Sequence, residues 1–146
     1  MRILGIDLGI KRTGLALSDE LGLSVNIISN LYANSRAMAV DKIIELITEH
    51  DIKVILIGRP QAITEYSKAV AKRAEGLSFA LEERILALGL DVKIKLWDEA
   101  YTSKRAMAYL VASGVPQKKR QQKLDGASAA VMVEDFLQSL DAKDRI

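Results

Sequence analysis

Acidic residues stand at three places where distant parts of a chain can converge. Asp7 closes a short apolar run, RILGID, and is followed by Leu8-Gly9. Asp98 and Glu99 close a second run, IKLWDE, and Asp125 opens the alanine-rich stretch DGASAAVMV. Carboxylates gathered at one strand end repel one another, so the cluster calls for a cation or a shared proton. Hard oxygen donors without histidine or cysteine select Mg²⁺ or Mn²⁺. Two such ions can activate a water and stabilise the leaving oxygen of a phosphodiester.

Each acid also has a plainer reading. Asp7 could bind the turn amides around Gly9, although an acid ending a buried strand is costly without a partner. Asp98 competes with Glu99 for any role at the second run's end. Asp125 is well placed as a helix N-cap, the commoner use of such an aspartate.

Basic residues flank these positions. Lys118, Lys119, Arg120 and Lys123 crowd a segment introduced by Gly114 and Pro116, which reads as a polar loop. The loop could be merely solvated. Placed directly before Asp125, it also suits a phosphate backbone, because each contact releases condensed counterions. Lys11 and Arg12, just past Asp7, extend the same surface. Lys68, Lys72 and Arg73 read as the solvated face of a helix. His50 reads as a helix-end residue, and Trp97 and Tyr109 as core.

The elements that must position these residues follow from hydrophobic periodicity and turn residues. Arg2 to Asp7, Thr13 to Ser18 and Val25 to Leu31 read as strands, with a hairpin at Asp19 to Gly22. A helix capped by Ser35 runs to about Glu49, with Val40, Ile43, Ile44 and Ile47 on one face. Lys53 to Ile57 is an apolar strand ended by Gly58. A helix from about Tyr66 to Leu88 stops at Gly89. Val92 to Trp97 is the fifth strand. A helix capped by Thr102 reaches about Ser113, and a last helix runs from Asp125 to about Leu140. The expectation is an α/β domain: an antiparallel three-strand meander plus two parallel strands in a mixed five-stranded sheet, with helices on both faces.

Composition narrows the function classes. The 146 residues, 49% of them apolar, suit one domain over residues 1–146. With no cysteine there is no disulfide framework, zinc-thiolate site or cysteine nucleophile. The start, MRILGIDLG, does not read as a secretory leader, since Asp7 breaks its short apolar run. No stretch approaches the roughly 20 apolar residues of a membrane span. A cytoplasmic protein is the expectation. The net charge of +2 does not itself indicate nucleic acid; the clustering of charge does.

At these residues the sequence resembles the YqgF/RuvX family of Holliday junction resolvases, in the ribonuclease-H-like superfamily. ILGIDLGIKRTGLALSD resembles the family's D-x-G opening, and VILIGRP its fourth strand and G-x-P turn. LWDEAYTS resembles its W-D-E-R segment, and KKRQQKLDGASAAVMVEDFL its basic loop and last helix. The resemblance covers essentially the whole chain. It implies a metal-dependent nuclease whose acidic positions are Asp7, Glu99 and Asp125. It also implies a role in resolving branched DNA or maturing the 5′ end of pre-16S rRNA. Cutting a junction takes two active sites, so that substrate implies a homodimer. Two positions depart from the pattern. Ala100 replaces the arginine after D-E, and QAITEYSKA replaces a longer glycine-containing stretch after Pro60.

Three functions follow as expectations. The first is an endonuclease with a two-metal Mg²⁺ or Mn²⁺ site at Asp7, Glu99 and Asp125. Its phosphate-binding residues are Lys11, Arg12, Lys118, Lys119, Arg120 and Lys123. The second, motivated by Ala100, is a nucleic-acid-binding or ribosome-assembly factor on the same fold that cuts weakly or not at all. The third, an actin-like or sugar-kinase ATPase, needs two such domains and is disfavoured by length.

Overall fold

A computed structural model of the chain describes residues 1–9, 12–98 and 102–144. Five strands form one sheet: β1 (Arg2–Leu8), β2 (Thr13–Ser18), β3 (Val25–Leu31), β4 (Ile52–Arg59) and β5 (Lys93–Asp98). Their spatial order is β3-β2-β1-β4-β5. The β1–β2 and β2–β3 pairs are antiparallel, whereas β1–β4 and β4–β5 are parallel. The expected meander and the expected two parallel strands are therefore both present. β4 runs through Gly58 to Arg59, beyond the stop read from the glycine.

Four helices cover the sheet: α1 (Arg36–His50), α2 (Glu65–Leu88), α3 (Thr102–Ala112) and α4 (Gln117–Asp144). Ser35 caps α1 by accepting from the Met38 amide at 3.1 Å. Thr64 and Ser67 form a reciprocal capping box at the start of α2. Gly89 ends α2 in the left-handed conformation, φ 67°.

Side-chain alternation along β1 divides the core in two. Leu4, Ile6 and Leu8 face α1 and α2, where they pack with Ile43, Leu77 and Leu81. Ile3 faces the other way, with Ala129, Met132 and Val133 of α4. Gly5 shares that face, and a Cβ there would fall 2.6 Å from Val133 Cγ2 and 2.8 Å from the Ala129 carbonyl. α4 therefore lies almost on the backbone of the central strand. α3 packs outside α4 through Ala106, Leu110 and Ala127. The Arg105 guanidinium donates to both Asp135 oxygens, at 2.8 and 2.7 Å, and clamps the two helices.

The last helix differs from the sequence reading. The expected loop over Gly114 to Lys123 is largely absent, and α4 already begins at Gln117. Gly114, at φ 75°, closes α3 with the Val115 amide donating to the Leu110 carbonyl at 3.0 Å. Pro116 follows immediately and starts α4, with the Lys119 amide donating to its carbonyl at 2.9 Å. Gly114 and Pro116 thus punctuate two abutting helices rather than introduce a mobile loop. Thr102 is the first residue of α3.

Candidate functional site

Asp7 belongs to the β1 face that carries Ile3 and Gly5, the face covered by α4. It is only 9% exposed. Its register partner on β2 is Gly14. A Cβ on Gly14 would overlap the backbone of Asp125 and Gly126. Asp125 is thereby pressed against the residue that pairs with Asp7. The Asp125 carboxylate in turn lies against Gly9, where a Cβ would fall 2.6 Å from its Cγ. Glycine at 9 and 14 makes room for the second acid beside the first.

Asp125 is not an N-cap. It lies in the third turn of α4, where no helix-end amide needs it. The capping reading is therefore overturned, and the side chain has no local structural duty of that kind.

Asp98 points to the other face. Leu96 and Ile94 of β5 pack on the α2 side, and Asp98 continues their alternation. Its Oδ1 pairs with Arg59 Nη2 at 3.2 Å, and Arg59 Nη1 also reaches Glu75 of α2 at 3.6 Å. Trp97, on the α4 face, packs edge-to-face on Phe136, with ring centroids 5.6 Å apart. Tyr109 is half-buried, and its hydroxyl donates to the Val25 carbonyl at 3.0 Å. Trp97 and Tyr109 are thus packing residues. Glu99, Ala100 and Lys11 lie outside the described residues.

The basic cluster is spread around the first turns of α4. At 100° per residue, Lys118 falls within about 20° of Asp125 two turns later, whereas Lys123 is turned about 160° away. Lys118, Lys119 and Lys123 are exposed. Arg120 is half-buried, and its Nε donates to the Val115 carbonyl at 3.1 Å, so it also braces the α3–α4 junction. Asn30 at the end of β3 donates to the Gln122 carbonyl at 3.1 Å and ties these turns to the sheet. Arg12 lines the cleft on the opposite side of the β1–β2 turn. The sequence reading missed Arg73. Rather than only solvating α2, its Nη1 approaches the Gly9 carbonyl at 3.4 Å.

The donor set fits a hard cation. Two carboxylates meet at a strand end, and the chain has no cysteine. Its one histidine, His50, ends α1 beside Ile52, which pairs with Arg2 at the opposite edge of the sheet. Among the described residues no group of three metal-ligating side chains forms, so a third ligand would have to come from outside them. Oxygen donors of this kind suit Mg²⁺ or Mn²⁺.

The family model described as "RuvX: Holliday junction resolvase" matches residues 1–139. The chain belongs to the RuvX family. A RuvX relative from Syntrophus aciditrophicus is 34% identical over 140 residues, which cover 96% of this chain and 90% of the relative. One from Bacillus thuringiensis is 33% identical over 141 residues, covering 95% and 99%. Both carry the name "Putative pre-16S rRNA nuclease". Among solved structures, Thermus thermophilus RuvC in complex with a Holliday junction substrate matches with TM-score 0.58 at 14% identity, covering 96% of each chain. The fowlpox virus resolvase in complex with Holliday junction DNA matches with TM-score 0.55 at 15% identity, covering 96% of this chain and 99% of that one. These likenesses establish the ribonuclease-H-like fold.

Proposed function

We propose that this RuvX member is a cytoplasmic endonuclease that hydrolyses phosphodiester bonds in structured nucleic acid and depends on Mg²⁺ or Mn²⁺. The observation that carries the reading is the meeting of Asp7 and Asp125 at the end of β1, with Gly9 and Gly14 leaving space for it. Relatives at 33–34% identity carry the pre-16S rRNA name, so precursor small-subunit rRNA is the first substrate class. The family description names Holliday junctions, and that is the second.

Asp7, Asp125 and Glu99 would hold the metal, with Glu99 assigned on its match to the family's D-E segment. When bound, the ions supply charge stabilisation at the scissile phosphate and acidify the attacking water. The chain's own residues fix the geometry. Asp7 is held by the central strand, and Asp125 by a helix packed directly on it. Lys118 overhangs the same stripe of α4 and would meet a backbone phosphate. Lys119, Lys123, Arg120, Lys11 and Arg12 extend the basic surface.

The test is cleavage of precursor rRNA and of a four-way junction, with Mg²⁺ and with Mn²⁺, by wild type and Asp7→Asn. Metal-dependent cleavage lost in Asp7→Asn, with nucleic-acid binding retained, is the expected result. Equal rates in the two proteins would remove Asp7 from the site. Binding without cleavage by wild type would favour a ribosome-assembly factor. Junction cutting by a homodimer, seen by sedimentation, would favour the DNA substrate.

A further inference from the structure

A cleft of about 500 Å³ opens on the α1–α2 side of the β1–β2 turn, back to back with the carboxylates. Arg12, Arg36 and Arg73 line it, and no acidic residue does. Among the described residues none of the three arginines forms an ion pair, unlike Arg59, Arg84 and Arg105. The arrangement is held in place. The Arg36 guanidinium lies over Gly76 of α2, where a Cβ would fall 2.6 Å from its Cζ. Arg73 precedes Gly76 by one helical turn, so both guanidinium groups occupy one face of α2.

Arg36 is also the first residue of α1, whose first turn holds no acid. A cation there opposes the positive end of the helix dipole. Three cations and a helix N-terminus around one cleft repel one another until an anion enters. The floor is apolar, with Leu8, Leu31 and Leu77, and Tyr32 stands at the wall, 63% exposed.

We propose that this cleft is a second nucleotide subsite of the substrate strand. A backbone phosphate rests on Arg12, Arg36 and Arg73, and the attached base stacks on Tyr32. Gly9 connects it to the candidate nuclease site: its Cα side meets the Asp125 carboxylate and its carbonyl faces Arg73. A strand crossing the β1–β2 turn would meet both in succession. The volume exceeds that of one phosphate and lies within the usual range for a small-molecule pocket, about 300–1,000 Å³. The inference deepens the nuclease reading and rests on it for the identity of the ligand.

The experiment is equilibrium binding of a labelled precursor-rRNA fragment and a labelled four-way junction across a salt series. The proteins are Asp7→Asn and Asp7→Asn with Arg36→Gln and Arg73→Gln. The added substitutions should weaken binding at least tenfold and reduce the salt slope by about 1–2, one for each lost phosphate contact. Arg36→Gln alone, which leaves the Arg73–Gly9 contact intact, should show about half the slope change and serves if the triple variant fails to fold. Tyr32→Ala should weaken binding without changing the slope. Unchanged affinity and slope in a folded Arg36→Gln variant would overturn the subsite. Calorimetry with AMP and with inorganic phosphate separates the sources. Micromolar binding of either, lost in Arg36→Gln while nucleic-acid binding is unaffected, would assign the cleft to a free nucleotide and overturn the proposal. The binding readout is independent of cleavage, so an inactive nuclease leaves this result interpretable.

Discussion

The Asp125 carboxylate fills the space that a side chain on Gly9 would need: a Cβ there would collide with its Oδ2 and lie 2.7 Å from the Arg12 carbonyl. The turn after β1 and the third turn of α4 are therefore fitted to each other through a missing methyl group. Gly9→Ala must either push the carboxylate away from Asp7 or open the turn. Overpacking of this kind costs about 1–3 kcal/mol. The expected result is a stable variant, a few degrees lower in Tm, that cleaves at least tenfold more slowly and needs more metal to do so. Gly14→Ala meets helix backbone instead and should lose more stability than Gly9→Ala. Thermal unfolding and a metal titration of the cleavage rate check both.

Asp98 and Glu99 compete as the acid at the end of β5, and the Arg59–Asp98 pair separates them. Asp98 is committed to the α2 face, with its side chain 77% exposed. An exposed pair of this sort contributes about 0–1 kcal/mol. Asp98→Asn should therefore leave cleavage within about twofold of wild type, while Glu99→Gln should abolish it. Rates measured side by side at saturating Mg²⁺ decide the matter. A severe loss in Asp98→Asn would place the wrong acid in the site.

The readability of the sequence varied with the kind of signal. Val25–Leu31 and Thr13–Ser18 stand out because polar turns bound them, and Ser35 and Gly89 mark their helix ends by chemistry that only caps need. α4 hides its start. Its first turns carry lysines and arginine, against the helix dipole, and Gly126 to Val133 is buried all round, which erases the 3.6-residue period. Asp125 was therefore ambiguous until Pro116 could be recognised as the beginning of the helix. Arg73 was misread because exposure on α2 does not reveal that the helix passes beside Gly9.

Helical phase makes the lysines of α4 unequal. Lys118 shares the stripe of Asp125, and Lys123 projects from nearly the opposite side. If the strand runs over the end of β1, Lys118→Ala should reduce affinity several-fold and lower the salt slope by about one phosphate contact. Lys123→Ala should change both by much less. Binding to the Asp7→Asn background over a salt series measures the difference. Equal effects would mean that the nucleic acid wraps α4 rather than lying along one side of it.

Glu134 supplies a pH test of how α3 is seated against α4. Burial pushes its carboxyl above the usual glutamate value, and the neighbouring Asp135 charge adds to the effect, against the pull of Arg105. The folded chain thus holds this proton more tightly than the unfolded chain does. For an acid shifted upward, folding stability is greatest below the unfolded pKa and falls as pH rises through the folded one. Glu134→Gln removes that loss. The Tm of the variant minus that of wild type should therefore be more positive at pH 7.5 than at pH 4. A difference that stays constant between those pH values would show that the Glu134 charge carries no such cost at the helix interface.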